Sequence, residues 1–344
     1  SIFIVTIFSY IFVESKKINI DKNEIFKFLS IVLIFISSFR WGVGGDWETY
    51  LYTYERSNIN FVNFSWSFIY ELTNFIFSSL GTGIYGVNLF VSSIFFIALY
   101  RFGKLLNFDL LLILLISFSL VFFNGIMGYV RQTLSLVFFI FSLELFLRNK
   151  KDFSLAVFLI AVFTHLSSII FLPIYFYSYF KNIKVILAIV AVSIMTVLLG
   201  FNILKIAFNE FVFKGMISLG ASFRSITLII CCFIYLFYRK KLYSSFKNLK
   251  FITDYLFILS VFLIGLIFLS SAFSAIADRL SLFMVIFQII IIGQFFNKVI
   301  KSKNKNYIHH AIFISVLYYL ITFSWFIFGD YSIYWLDYNF MYFE

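Results

Sequence analysis

The sequence predicts an all-α, polytopic integral membrane protein, one transmembrane helical domain over 1–344 with about ten to twelve membrane segments, some re-entrant or broken. Three observations predict it. Hydrophobic residues make up 62% of the 344 and charged ones only 12%, with a mean hydropathy of +0.99, a balance outside the range of soluble domains. Runs such as Leu110 to Phe123 and Phe257 to Leu269 are apolar on every side, which excludes the alternating strands of a membrane barrel. The 27 lysines and arginines are segregated: short loops on one side hold all of them except Arg40, Arg56, Arg131, Arg224, Arg279, Lys205 and Lys214. A surplus of lysine orients a membrane protein with those loops inside. Arginines kept on the other side, against that rule, imply anionic groups to be held there.

The strongest basic loop, Arg239 to Lys250, lies inside and orders the rest. The first apolar run, Ile2 to Val13, is short for a span, as expected of a helix that tilts, stops short or lacks leading residues; no cleavage site follows it. Glu14 to Lys27, Arg101 to Asp109, Arg148 to Asp152, Lys181 to Lys184 and Asn297 to Asn306 are inside. Asn124 to Gln132, Asn202 to Gly215, Ser271 to Arg279 and the tail from Gly329 are outside. Ser65 to Leu80, with Glu71 and Asn74, must return to the outer side and reads as re-entrant or interfacial. Phe153 to Phe180 starts and ends at internal basic clusters, yet it is interrupted around Thr164 to Ser167. Two short halves with His165 at the outer turn satisfy both facts, and such a break implies a cavity, because open backbone needs partners at membrane depth.

This order collects the candidate residues at outer helix ends. In Arg40-Trp-Gly-Val-Gly-Gly-Asp46, glycines permit close backbone approach to a ligand and Asp46 supplies an acceptor; the external loop 41–64 contributes to the site. The bland counterpart is a glycine turn with interfacial aromatics. Arg131 and Gln132 open an inward-running helix, where free N–H groups favour phosphate; snorkelling to headgroups is the alternative. Arg224 lies inside an apolar helix, where arginine is costly. Arg279 either pairs locally with Asp278 or turns into a shared pocket. His165 is a structural residue at a break or a proton acceptor. Glu71, Glu144 and Asp254 read as satisfied by neighbours, and Cys231 and Cys232 as packing residues. The net charge of +11 sits in short loops with no soluble domain to present it, so nucleic acid is not an expected partner. No protease, P-loop or dinucleotide fingerprint, no disulfide framework and no metal-ligand spacing occurs; no cofactor or metal is expected.

The R-x-G-x-G-x-D pattern at 40 to 46, the helix opening on Arg131-Gln132 and the helix ending in Phe163-Thr-His165-Leu-Ser-Ser168 resemble the EpsG/Wzy group of bacterial polysaccharide polymerases over about Arg40 to Arg279. The shortened first helix departs from it. The resemblance implies an all-helical enzyme of the plasma membrane that works on the outer face and joins undecaprenyl-pyrophosphate-linked oligosaccharides. It assigns roles to Arg40, Asp46, Arg131, Gln132, His165 and Arg279. Its partners are those lipid-linked oligosaccharides, the bilayer and, where length is controlled, a chain-length regulator. Arg131, Arg279 and Arg224 would hold the pyrophosphate, Arg40 coming after them, and His165 or Asp46 would take the proton. The rival readings are a membrane-embedded transferase using a polyprenyl-phosphate sugar, with Asp46 and Glu48 as its acidic pair, and a flippase or transporter of the same lipid, against which stands the lack of an internal repeat.

Overall fold

The computed structural model describes residues 21–59, 67–180, 219–242, 247–269, 274–301, 307–329, 332–336 and 338–340. The expected first helix at 2–13 and the loops at 181–184 and 202–215 lie outside the described residues. The chain runs α1 (Lys22–Ser38), β1 (Arg40–Trp41), α2 (Trp47–Ile59), α3 (Phe68–Ser79), α4 (Gly83–Leu105) and α5 (Leu110–Ser117), which continues as a wider π-type winding over Phe118–Gly128. Next come α6 (Val130–Leu147), α7 (Lys151–Thr164), a tight turn over Leu166–Phe171 and α8 (Leu172–Phe180). Then follow α9 (Leu219–Leu242), α10 (Lys247–Leu269), α11 (Ser274–Ser281), α12 (Val285–Phe295), α13 (Tyr307–Phe328), α14 (Ile333–Leu336) and β2 (Asn339–Phe340).

Among the described residues six helical stretches are long and apolar enough to cross a bilayer: Gly83–Leu105, Leu110–Gly128, Val130–Leu147, Asn248–Phe268, Ala277–Ile300 and Ile308–Phe328. The molecule is therefore a multi-pass, all-α membrane protein. The shorter elements fit the expected exceptions. α3, at 12 residues, extends about 18 Å, well under a span. α7 stops at His165, whose backbone is extended at φ −157° and ψ 122°, so the interruption falls where the sequence placed it.

Burial sorts these stretches into layers. Leu110–Gly128 is 94% buried and forms the centre, while Asn248–Phe268 is only 28% buried and presents its apolar side chains outward, to lipid. Apolarity does not drive helices together in lipid, so small side chains and hydroxyl bonds must. Ser38 meets Ser92 at 3.0 Å between α1 and α4. Ser135 Oγ donates to the Ala161 carbonyl at 2.8 Å, and Ser142 Oγ bonds Tyr175 Oη at 2.8 Å, stitching α6 to α7 and α8. Thr322 Oγ1 reaches the Ser119 carbonyl at 2.8 Å, joining α13 to the central helix.

Polar ties show which helix ends share a side. At the lysine-rich end, buried Glu144 on α6 takes a two-point contact from Arg101 of α4 at 3.0 and 2.9 Å and a third from Arg148 at 3.1 Å. Asp109 caps α5 by accepting the N–H groups of Leu111 and Leu112, and it also pairs with Lys22 at 2.9 Å. Arg239 pairs with Asp254 at 2.9 Å, and Asn297 Nδ2 donates to the Asn107 carbonyl at 2.7 Å. Glu71 accepts from Ser67 at 2.9 Å. At the opposite end β1 and β2 pair antiparallel, Arg40 against Phe340. Glu144→Gln leaves two guanidinium groups with a weaker acceptor in a buried position, and we expect a loss of about 1–3 kcal/mol. A thermal midpoint of the detergent-solubilised protein measures it, with Lys27→Ala, on an exposed pair, as the unchanged control.

Candidate active site

The end opposite the lysines is built around the glycine loop. Gly42 and Gly44 have φ of +68° and +109°, and a Cβ on Gly44 would lie 2.3 Å from the Met127 carbonyl oxygen. Only glycine lets this loop rest flat on the π-wound end of α5. The C-terminal segment fastens it: the Gly44 N–H donates to the Tyr334 carbonyl at 2.9 Å, Trp335 Nε1 to Phe123 O at 3.0 Å, and Tyr338 Oη to Ile36 O at 2.6 Å. Trp335 also packs within 3.5 Å of the Cβ position of Gly45. The loop delivers Asp46 to the start of α2, half-buried, its carbonyl accepting the Tyr50 N–H at 3.1 Å.

Asp46 lies within the fields of Arg131 and Arg279. Burial pushes its carboxyl above the usual range, and the two guanidinium groups pull it back. The same pair acts on His165: burial first, then Arg131 and Arg279, hold the imidazole below its ordinary value. Four groups from four separate elements thus share one locus, with Gln132 beside them. Arg131 is half-buried on the first turn of α6, and its Nε is buried with no hydrogen-bond partner among the described residues. Arg279 lies 5.8 Å from the ring of Tyr129, and the Tyr129 N–H is fixed by the carbonyls of Asn124 and Gly125 at 2.9 and 2.8 Å.

The hydrogen bonds of His165 restrict what it can do. Nδ1 accepts the Ser167 N–H at 3.3 Å, and Nε2 faces the side-chain amide of Gln132 at 3.5 Å. In the neutral ring the proton then sits on Nε2. Turning the Gln132 amide puts its buried, otherwise partnerless Oε1 on that N–H. In that arrangement both ring nitrogens are engaged and His165 donates through Nε2.

Two residues singled out in the sequence stand elsewhere. Arg40 is fully buried, with Nε on the Val43 carbonyl at 3.3 Å, Nη1 on the Ser37 carbonyl, and its guanidinium 5.6 Å from the Trp47 ring. Tyr50 and Tyr70, with ring centroids 5.7 Å apart, lie within the fields of both Arg40 and Arg131. Arg40 thus anchors the glycine loop through these carbonyls, and among the described residues its Nη2 has no hydrogen-bond partner. Arg224 lies near the start of α9, one turn from Leu228, and its side chain lies outside the described residues. Glu48, the second acid of the rival reading, is exposed on α2. Among the described residues no three His, Cys, Asp or Glu side chains gather as a metal site requires.

Sequence reasoning missed a narrow recess next to Arg279, a cavity of about 20 Å³ whose polar lining is Asn124, Tyr129, Asp278, Ser281 and Gln288. Gln288, alone in an apolar run, carried the one usable signal, because a polar side chain inside a membrane helix is costly without a role. Trp335→Phe removes the bond to Phe123, and we expect a loss of about 1 kcal/mol; Gly44→Ala, which cannot avoid the Met127 carbonyl, should abolish activity at normal membrane abundance. Quantitative blotting beside an activity readout measures both.

The chain matches the EpsG family over residues 24–340. No curated protein and no solved structure matches it.

Proposed function

The chain belongs to the EpsG family, and from that premise we propose that it is a polysaccharide polymerase, a glycosyltransferase of the bacterial plasma membrane. It joins undecaprenyl-pyrophosphate-linked oligosaccharide repeat units on the outer face. The single observation that carries this reading is that Arg131 and Arg279 bear on one carboxylate and one imidazole. Two guanidinium groups converging in a poorly screened place suit a doubly charged diphosphate. The Nε of Arg131, buried and without a hydrogen-bond partner among the described residues, adds a donor for the same group.

The reaction follows from these roles. A hydroxyl oxygen at the non-reducing end of one lipid-linked oligosaccharide attacks the anomeric carbon of another. A new C–O bond forms there as the bond to the pyrophosphate breaks, and undecaprenyl pyrophosphate leaves with the electron pair. Arg131 and Arg279 stabilise charge that grows on that leaving group, which is where fixed donors lower a barrier most. The hydroxyl proton passes to the Asp46 carboxylate. His165, neutral and donating through Nε2, orients Gln132 and the opening turn of α6. The lysine-rich end, inside by the positive-inside rule, supports a site on the outer face.

Arg131→Ala and Arg279→Ala each shorten the polymer and lower its yield by at least about 10²-fold, as for a lost transition-state donor; in-gel length at equal membrane abundance measures it. Unchanged polymer in both variants removes the reading. A base must be unprotonated, so activity rises with pH through the Asp46 titration. Since burial is the dominant influence on that carboxyl, the limb lies above the ordinary carboxylate range of about 3.9. Asp46→Asn abolishes the limb and costs about 10²–10⁴-fold, whereas His165→Gln keeps it and loses less. A limb that follows His165 instead reverses the two assignments. Reconstitution with purified lipid-linked units separates the enzyme from a transporter, which moves them without making longer chains.

A further inference from the structure

We propose that Tyr50 is a positioning residue of the active site: it holds the opening turn of α6 against α2 and so sets how closely the Arg131 guanidinium bears on the Asp46 carboxylate. The proposal rests on the polymerase reading above, in which Asp46 takes the proton. Tyr50 stands one helical turn beyond Asp46 and is tied to it, its N–H donating to the Asp46 carbonyl at 3.1 Å. Its side chain is buried and shares one apolar cluster with Val130 and Leu134 of α6, between which Arg131 lies in the chain. Tyr70 of α3 packs edge-on against it, with ring centroids 5.7 Å apart. One packed cluster therefore joins the helix that starts at Asp46 to the helix that starts at Arg131.

α6 also lacks something that Tyr50 supplies. Tyr129, the residue before it, makes no side-chain cap, and first-turn N–H groups have no partner within their own helix. The Tyr50 hydroxyl is turned to the N–H of Arg131, an acceptor contributed from another helix. It fixes the backbone from which that guanidinium extends. Among the described residues the groups whose fields reach Asp46 are Arg131 from α6, Arg279 from α11, Tyr50 from its own helix and Tyr70 from α3; His165 meets the same two arginines. Burial, and after it the Asp46 carboxylate, push the Tyr50 phenol above the ordinary tyrosine range, so it stays neutral while Asp46 titrates. Tyr50 thus acts on Asp46 through the placement of Arg131 and not as a charge. The hydroxyl of Tyr70 has no such bond to α6, which makes Tyr70 the matched control.

The test is the pH profile of polymer synthesis by the full chain in nanodiscs supplied with purified lipid-linked repeat units. Tyr50→Phe keeps the ring and its packing and removes the acceptor. Arg131 favours the ionised form of Asp46, so a less firmly held Arg131 lets the carboxyl keep its proton to higher pH, and the limb on which activity rises with pH moves up. We expect that limb to shift by at least about 0.5 unit and the maximal rate to fall at least about fivefold at equal membrane abundance. Tyr70→Phe moves the limb by less than about 0.2 unit. Val130→Ala loosens the same cluster from the α6 side; it moves the limb in the same direction by at least about 0.3 unit and decides the matter if Tyr50→Phe fails to fold. A residue that only packs would lower the thermal midpoint and leave the limb in place. Polymer made by Tyr50→Phe with an unmoved limb, or an equal shift in Tyr70→Phe, overturns the assignment and leaves the polymerase reading standing. No polymer from the unaltered protein at any pH overturns both.

Discussion

The guanidinium groups of Arg131 and Arg279 act on the same carboxylate and the same imidazole, so like charges converge at one end of an apolar bundle. Such charges repel strongly where water is scarce, and each loses hydration by being half-buried. Asp46 offsets part of that cost. On the proposed reading the anion that the two groups hold offsets the rest. Keeping His165 neutral belongs to the same balance, because a third cation there would face two others.

That convergence needs a frame that does not yield. The ion cluster of Arg101, Glu144 and Arg148 sets α4 against α6 at the lysine-rich end, and hydroxyl bonds fix α6 on α7 and α8 through the interior. The opposite end is open to variation by comparison. There the central helix widens into π winding, which changes the direction of its carbonyls, and such windings recur at functional sites. The glycine loop and the C-terminal segment lock onto this widened end, so the position of Asp46 depends on residues almost three hundred positions away in the chain.

Much of this was legible before any coordinates. The all-helical membrane class, the short α3, the break at His165 and the grouping of Asp46, Arg131, Gln132, His165 and Arg279 at one side all follow from apolar run lengths and from where lysines fall. Glu71, Glu144 and Asp254 were read as satisfied by neighbours, and each has its donor. Other features were not legible for identifiable reasons. Arg40 and Arg131 look alike in sequence, both at outer helix ends, yet the first turns back onto the carbonyls of Ser37 and Val43 while the second faces the site. A choice of that kind depends on which carbonyls lie within reach of a long side chain. The recess was hidden because its lining comes from α5, α9, α11 and α12, four elements far apart in the chain.

By itself the sequence determined the solvent this protein lives in and which segments are long enough to cross it, since bilayer thickness and the cost of burying charge act on each segment separately. Only the tertiary structure decided which charges meet. Asp46 and His165 look alike as proton acceptors in the sequence, and the proposed reading separates them by the partners of Nδ1 and Nε2, since a proton acceptor depends on the lone pair its neighbours leave unused.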